Sequence, residues 1–154
     1  KFKKEKTIWP GRAMGAFTLG TPYRILQRHI KLDEPPDFSD PDTPGIVRPR
    51  ELPGLELRFD SGTRRMVSAR TTSSRFTLPE GFGVGCLLQE LQEAYGKEAV
   101  PTPTFKYQGT RGDGRAIFRG TVLASGLEFE IVREVDPVFG LPLDKVEAIS
   151  IFDE

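Results

Sequence analysis

Two stretches of this chain carry the same pattern, and that self-similarity constrains the fold more than any other feature. Phe17-Thr18-Leu19-Gly20-Thr21-Pro22-Tyr23-Arg24-Ile25-Leu26 and Phe82-Gly83-Val84-Gly85-Cys86-Leu87-Leu88-Gln89-Glu90-Leu91 share a Phe, an aliphatic residue, a Gly and a later Leu at one spacing. Downstream, Gly54-Leu55-Glu56-Leu57-Arg58-Phe59 is echoed by Gly126-Leu127-Glu128-Phe129-Glu130-Ile131, and Arg65-Met66-Val67-Ser68-Ala69 by Lys145-Val146-Glu147-Ala148-Ile149. Self-similarity in a fixed order predicts one supersecondary unit per copy. The expected fold is α+β, with two tandem units, each a short helix packed on a small antiparallel sheet. Gly20, Gly85, Gly54 and Gly126 are the expected structural glycines. Gly20 and Gly85 fall where strand turns into helix, a place that calls for positive φ or for close contact without a Cβ.

Local signals divide the chain into an N-terminal arm at 1–13, a first unit at 14–74 and a second unit at 75–154. Thr21-Pro22 reads as an N-cap followed by Pro at the first helical position, predicting a helix over 22–31. Leu32 to Pro53 holds six prolines and the acids Asp33, Glu34, Asp37, Asp40 and Asp42, so 32–53 reads as a long loop. Alternation predicts a hairpin over 54–70. Leu87, Leu88, Leu91 and Tyr95 share a helical face that Gly96 ends. Strands are expected at 104–107, 116–122, 127–131 and 146–151, with 136–144 as a loop.

The catalytic inventory is thin. His29 and Cys86 are the single histidine and the single cysteine. His29 reads as a helix-end residue. Cys86, at a helix N-terminus where a thiol pKa can fall, reads as a small half-buried residue. No spacing of Cys and His suits zinc, and the 33–42 acids lack the calcium-loop pattern. Gly81-Phe82-Gly83-Val84-Gly85 lacks the nucleotide-binding spacing. Arg111-Gly112-Asp113 matches the adhesion tripeptide and reads as a hairpin turn. Glu128 and Glu130 alternate as on a solvated strand face. No catalytic, metal or cofactor residues are assigned, and no enzyme activity is expected.

Lysine plus arginine equals aspartate plus glutamate at 22 each, which gives no global case for nucleic acid. No apolar run approaches the length of a membrane helix. A single cysteine excludes an intrachain disulfide and favours a reducing compartment. The chain starts without Met, so a targeting peptide removed earlier fits the sequence.

The first glycine stretch, with Gly83-Val84-Gly85, Leu87, Leu88, Leu91 and Ala94-Tyr95-Gly96, resembles tandem repeats of the β-lactamase-inhibitory-protein-like class. That resemblance implies helical segments on small sheets joined into one concave surface. Pro10-Gly11-Arg12-Ala13-Met14-Gly15-Ala16-Phe17-Thr18-Leu19-Gly20, with Gly54-Leu55-Glu56-Leu57-Arg58-Phe59-Asp60 and Arg65-Met66-Val67, resembles the N-terminal region of the phagosome assembly factor family. That resemblance spans about residues 10–152 and implies a eukaryotic adaptor without catalysis. The Pro-rich 32–53 insert departs from that family.

The expected function is a non-enzymatic protein–protein interaction module, a subunit or adaptor of a larger assembly. Its expected contact elements are the arm at 1–10, the acidic Pro-rich loop and an exposed sheet face. The expected contact residues are Trp9, Phe38 and Phe139, with Lys3 and Lys4 of the basic arm. The alternatives are a small-molecule or lipid carrier (or a degenerate enzyme) using a helix–sheet cavity, and a specific protein inhibitor.

Overall fold

The computed structural model describes residues 5–32 and 34–153; Lys3, Lys4 and Asp33 lie outside them. Apolar–polar alternation along most of the chain builds strands. These are β1 (Ile8–Trp9), β2 (Ala13–Met14), β3 (Phe17–Thr18), β4 (Gly45–Val47), β5 (Leu55–Phe59), β6 (Met66–Thr71), β7 (Lys106–Thr110), β8 (Ala116–Ala124), β9 (Leu127–Val135) and β10 (Pro142–Phe152). The helices are α1 (Tyr23–Leu26) and α2 (Leu88–Tyr95). Seven strands form one sheet in the order β4-β5-β6-β10-β9-β8-β7, with every neighbouring pair antiparallel. The three shortest strands make a separate small sheet, β1-β2-β3.

This architecture overturns the expected pair of helix-plus-sheet units. Strands hold 42% of the residues and helix 8%, and only α2 reaches seven residues. β6 and β10 pair from Ile149↔Thr71 to Phe152↔Ser68, so the strands expected to close two separate sheets join in the middle of one. The reason is a complementary register. Ile149 and Ile151 stand opposite Thr71 and Ala69 on one side and Phe129 and Leu127 on the other, which puts all six on one buried face. A slip of one residue would turn that face to water.

The helix expected over 22–31 stops after one turn. Pro22 is its N-cap and offers no side-chain bond, while the Thr21 hydroxyl donates to the Thr18 carbonyl instead (2.8 Å). Beyond it, Leu32 bridges Pro49 and the Arg50 amide donates to the Lys31 carbonyl (2.9 Å), which draws the chain out toward the sheet. The Pro-rich segment contributes β4, which lies at the sheet edge between Pro44 and Pro49, where a missing N–H is tolerated. β10 begins at Pro142, inside the expected 136–144 loop.

One face of the large sheet packs against α2, the small sheet and the 76–78 segment. Leu88, Leu91, Ile8, Met14, Phe17, Phe76 and Leu78 join Leu57, Phe59, Phe129, Ile131 and Ile151 in one buried cluster. Ile8 is fully buried, so the arm is part of the fold at that point. The other face is polar and carries Glu56, Arg58, Ser68, Arg70, Glu128, Glu130 and Ser150.

Gly20 and Gly85 make the same backbone bonds. The Gly20 amide donates to the Met66 carbonyl (2.8 Å) and the Met66 amide to the Thr21 carbonyl (3.0 Å). The Gly85 amide donates to the Val146 carbonyl (2.8 Å) and the Val146 amide to the Cys86 carbonyl (2.9 Å). Their φ values are +89° and +99°, and nothing lies within 4 Å of an added Cβ at either. Glycine is therefore required for its conformation, not for close contact. Gly126 differs, because a Cβ there would collide with the backbone of Gly11. Gly54 precedes β5, and its carbonyl accepts the Thr72 amide (3.0 Å).

Candidate functional site

The β9–β10 hairpin ends in a turn that presents apolar side chains to water. Asp136-Pro137 opens the turn with residues suited to it. The Asp136 amide donates to the Leu141 carbonyl (3.0 Å), the Gly140 amide to the Asp136 carbonyl (2.9 Å), and the Val138 amide to the Asp136 carboxylate (2.7 Å). The turn is thus fixed by its own bonds. On it Val138 and Phe139 are each 77% exposed and Leu141 64%. Clustered apolar side chains on a bonded turn are costly to hydrate and preorganised for contact.

Beside the hairpin base runs an open groove of about 560 Å³, walled by α2 and by β9–β10. Leu87, Leu88, Pro142 and Leu143 supply its apolar lining, and Gln89, Gln92, Glu93, Lys97 and Thr102 its polar lining. Its base holds a bidentate pair, Arg133 to Asp144 at 2.7 and 2.8 Å. Phe105 lies under that guanidinium, 4.0 Å from it. The hydrogen bonds that Arg133 donates to Asp144 raise the Arg133 pKa above its ordinary value. Gln92 donates to the Val100 carbonyl and to Thr102 (both 3.0 Å), which ties the segment after α2 to the groove wall.

The polar face of the sheet is a ladder of matched charges. Arg48 pairs with Glu56 (2.8 Å), Arg70 reaches Glu56 (3.8 Å) and grips Glu130 with two bonds (2.6 and 3.0 Å), and Arg119 grips Glu147 (2.9 and 3.0 Å). Glu130 is therefore an ion-pair partner and not simply a solvated strand residue. Most of the charges on this face are thus paired within it.

The expected contact aromatics part company. Phe139 stands out in solvent. Trp9 is 39% exposed, with the Arg12 guanidinium 5.6 Å from its ring centroid. Phe38 turns inward: it meets Tyr23 edge-on at 5.7 Å, takes the Arg64 guanidinium over its ring at 4.2 Å, and lies against Gly45. Sequence reading missed Val138, Leu141 and Leu143. Their signal was legible as a run, Val138-Phe139-Gly140-Leu141-Pro142-Leu143, too apolar for an ordinary surface turn.

The sites weighed for chemistry are occupied by structural bonds. Burial, and then the Glu90 charge, push the Cys86 thiol up to about 11, away from the thiolate a nucleophile needs. The Gly81 and Gly85 amides donate to the Leu78 and Val146 carbonyls and the Cys86 amide to the Gly83 carbonyl, so this glycine run forms no anion cradle. Asp37 accepts from the Ser39 amide and hydroxyl (2.9 and 2.7 Å), and Asp40 from the Asp42 amide and the Thr43 hydroxyl (2.9 and 2.8 Å). In the tripeptide at 111–113, Arg111 binds Glu134 (2.7 Å) and Asp113 (3.3 Å), closing the motif on itself. Among the described residues, no cluster of three or more His, Cys, Asp or Glu could hold a metal ion, and no helix is long and apolar enough to cross a membrane.

Comparison of the chain with protein-family models, with curated proteins and with solved structures finds no match.

Proposed function

We propose that this protein is a non-enzymatic interaction module, a subunit or adaptor of a larger assembly. The contact surface in this reading is the β9–β10 turn together with the groove at its base. The observation that carries it is the exposure of Val138, Phe139 and Leu141 on a turn whose backbone is already bonded. Hydrated apolar side chains in that number gain free energy on burial, at about 25 cal/mol per Å² of apolar surface. Large rigid side chains dominate binding energetics when a partner encloses them. The adaptor character implied by the resemblance to the phagosome assembly factor family agrees with this reading.

Proximity labelling in the native cell, with the wild type and with a Phe139→Ser/Leu141→Ser variant, tests it. A discrete set of neighbours should be labelled by the wild type and lost in the variant, with the melting temperature of the variant unchanged. An identical neighbour set for both proteins would sink the reading. The groove also supports the small-molecule carrier as a second reading, because its volume falls in the ~300–1,000 Å³ range of ligand sites. Its polar base, with Arg133, Asp144 and Thr102, suits a polar ligand better than a lipid tail. A fragment screen by ligand-observed NMR that finds no binder displaced by Arg133→Ala would remove that reading.

A further inference from the structure

Charge is not spread evenly in this molecule. Residues 1–75 contain fifteen Lys and Arg against nine Asp and Glu, and residues 76–154 contain seven against thirteen. The excess acid of the second stretch gathers on and just after α2, where Glu90, Glu93 and Glu98 stand against Lys97 alone. The exposed apolar turn and the groove both belong to this acidic stretch.

The local charges agree. Glu93 lines the groove, Glu90 and Glu98 flank it on and after α2, and Glu134 and Asp136 frame the turn. The pairs Arg133–Asp144, Arg111–Glu134 and Arg119–Glu147 cancel. Among the described residues of this surface, Glu90, Glu93, Glu98 and Asp136 are then left against Lys97 and Lys145. From this we infer that the partner of the turn-and-groove surface is a basic protein segment carrying large apolar side chains. Its apolar residues would cover Phe139 and Leu141, and its Lys or Arg side chains would face Glu93 and Glu98. The inference rests on the interaction reading above and adds the chemistry of the partner. Potentials of opposite sign steer such an encounter and make it salt-sensitive.

Two other occupants fit less well. A second copy would have to bring residues of its basic first stretch, where the exposed large hydrophobics Trp9, Ile25 and Val67 stand singly on β1, α1 and β6. Joining two unlike surfaces also gives a ring or an open chain and not a two-fold dimer. An anionic membrane would be repelled by the acids beside the turn.

The test is selection of phage-displayed random 16-residue peptides on the immobilised full chain, followed by titration of the selected peptides. They should carry a net positive charge and at least one large apolar residue. They should bind the Phe139→Ser/Leu141→Ser variant about tenfold more weakly and weaken further with added salt. A Glu93→Lys/Glu98→Lys variant, altered only at exposed positions, should weaken them severalfold. Peptides that lose binding to the turn variant but are acidic or neutral would overturn the inference and leave the interaction reading standing. Peptides that bind the turn variant as well as the wild type, or a selection that yields none, would overturn both. Co-sedimentation with phosphatidylcholine vesicles, or a dimer in sedimentation equilibrium, would overturn the inference if Phe139→Ser abolished either one, in favour of a membrane or a second copy.

Discussion

The Gly20–Leu26 and Gly85–Tyr95 regions begin alike and end differently. Each starts with a glycine at positive φ whose amide, with the carbonyl of the next residue, brackets one strand residue: Met66, which begins β6, or Val146, inside β10. Each then passes through one extended residue, Pro22 or Leu87, into helix. Yet α1 runs for four residues and α2 for eight. The shared anchor fixes where the helix begins, and the residues after it decide how far the helix goes. The Leu87 amide donates to the Glu90 carboxylate (2.9 Å), and Leu88, Leu91 and Tyr95 keep a stripe toward the core. α1 has no side-chain cap and no acid in its single turn, and it buries Leu26 alone. A short helix without caps is stable only through its packing.

The largest expected effects come from the two packing residues. Leu91→Ala should lower unfolding free energy by about 3–5 kcal/mol and Leu26→Ala by about 2 kcal/mol, because a full helix closes over the first and a single turn over the second. Urea denaturation measures both. Equal losses would mean that the short turn anchors the core as firmly as α2, and the contrast would collapse. Next come the glycines. Gly20→Val and Gly85→Val should each cost about 1–3 kcal/mol through backbone strain. Gly20→Ala and Gly85→Ala should cost nearly as much, since the space around both positions is open. A neutral alanine at either position would break the equivalence. Glu128→Val is the fair control, expected within about 0.5 kcal/mol of wild type. Glu56 is not, because it accepts Arg48.

What was legible in the sequence, and what was not, follows the range of the interactions involved. The Gly54–Arg70 hairpin, the strands starting at Ala116 and Leu127 and the α2 stripe are set by neighbours within a few residues, and alternation shows them. The positive φ at Gly20 and Gly85 is local too. The join of β6 to β10 is not, because Ala69 and Ile151 are far apart in sequence and only their matched burial brings them together. Local similarity assigns β6 and β10 to different sheets, where long-range pairing makes them neighbours in one. The candidate site is half legible: the run Val138-Phe139-Gly140-Leu141 can be read as apolar in the sequence, while the turn bonds of Asp136 that hold those side chains outward cannot be read from spacing. Phe38 is likewise a large aromatic in a loop, yet it turns inward, because Tyr23 and Arg64 come to it from other parts of the chain.

The helix caps offer a smaller test of the same comparison. Glu90→Ala removes the carboxylate that accepts the Leu87 amide and an acid at the positive end of α2, at a cost of about 0.5–1 kcal/mol. In the single turn of α1, Arg24 belongs to the first and the last turn at once, so Arg24→Glu gains at one end what it loses at the other and should stay within about 0.5 kcal/mol of wild type. A larger gain would show that charge at the start of α1 limits its length.

The smallest effect is expected in acid, and it contrasts the turns of the two regions. Asp60 accepts the Gly62 and Thr63 amides (3.0 and 2.7 Å) in the β5–β6 turn, and Asp113 accepts the Arg115 amide (3.1 Å) in the β7–β8 turn. The Thr63 amide holds the Asp60 carboxyl below its ordinary value of 3.8, and the Arg115 amide does the same for Asp113. Asp40, bonded by the Asp42 amide, and Asp37, bonded by the Ser39 hydroxyl, are lowered as well. In each case the ionised form makes the bonds, so the folded pKa lies below the unfolded one. The stability these groups add is present above the unfolded value and is lost as pH falls through each folded value. Three of the four groups belong to residues 1–75, so acid should loosen that region first. An NMR titration should show the Ser39, Asp42, Thr63 and Arg115 amides moving with midpoints below 3.8. Loss of protection against hydrogen exchange should then begin near Ser39 and Thr63 and reach Arg115 later. Midpoints at or above the ordinary carboxyl value would show that these turns do not depend on the ionised side chains. Loosening that began at Arg115 would reverse the order and place the weaker turns in the acidic half.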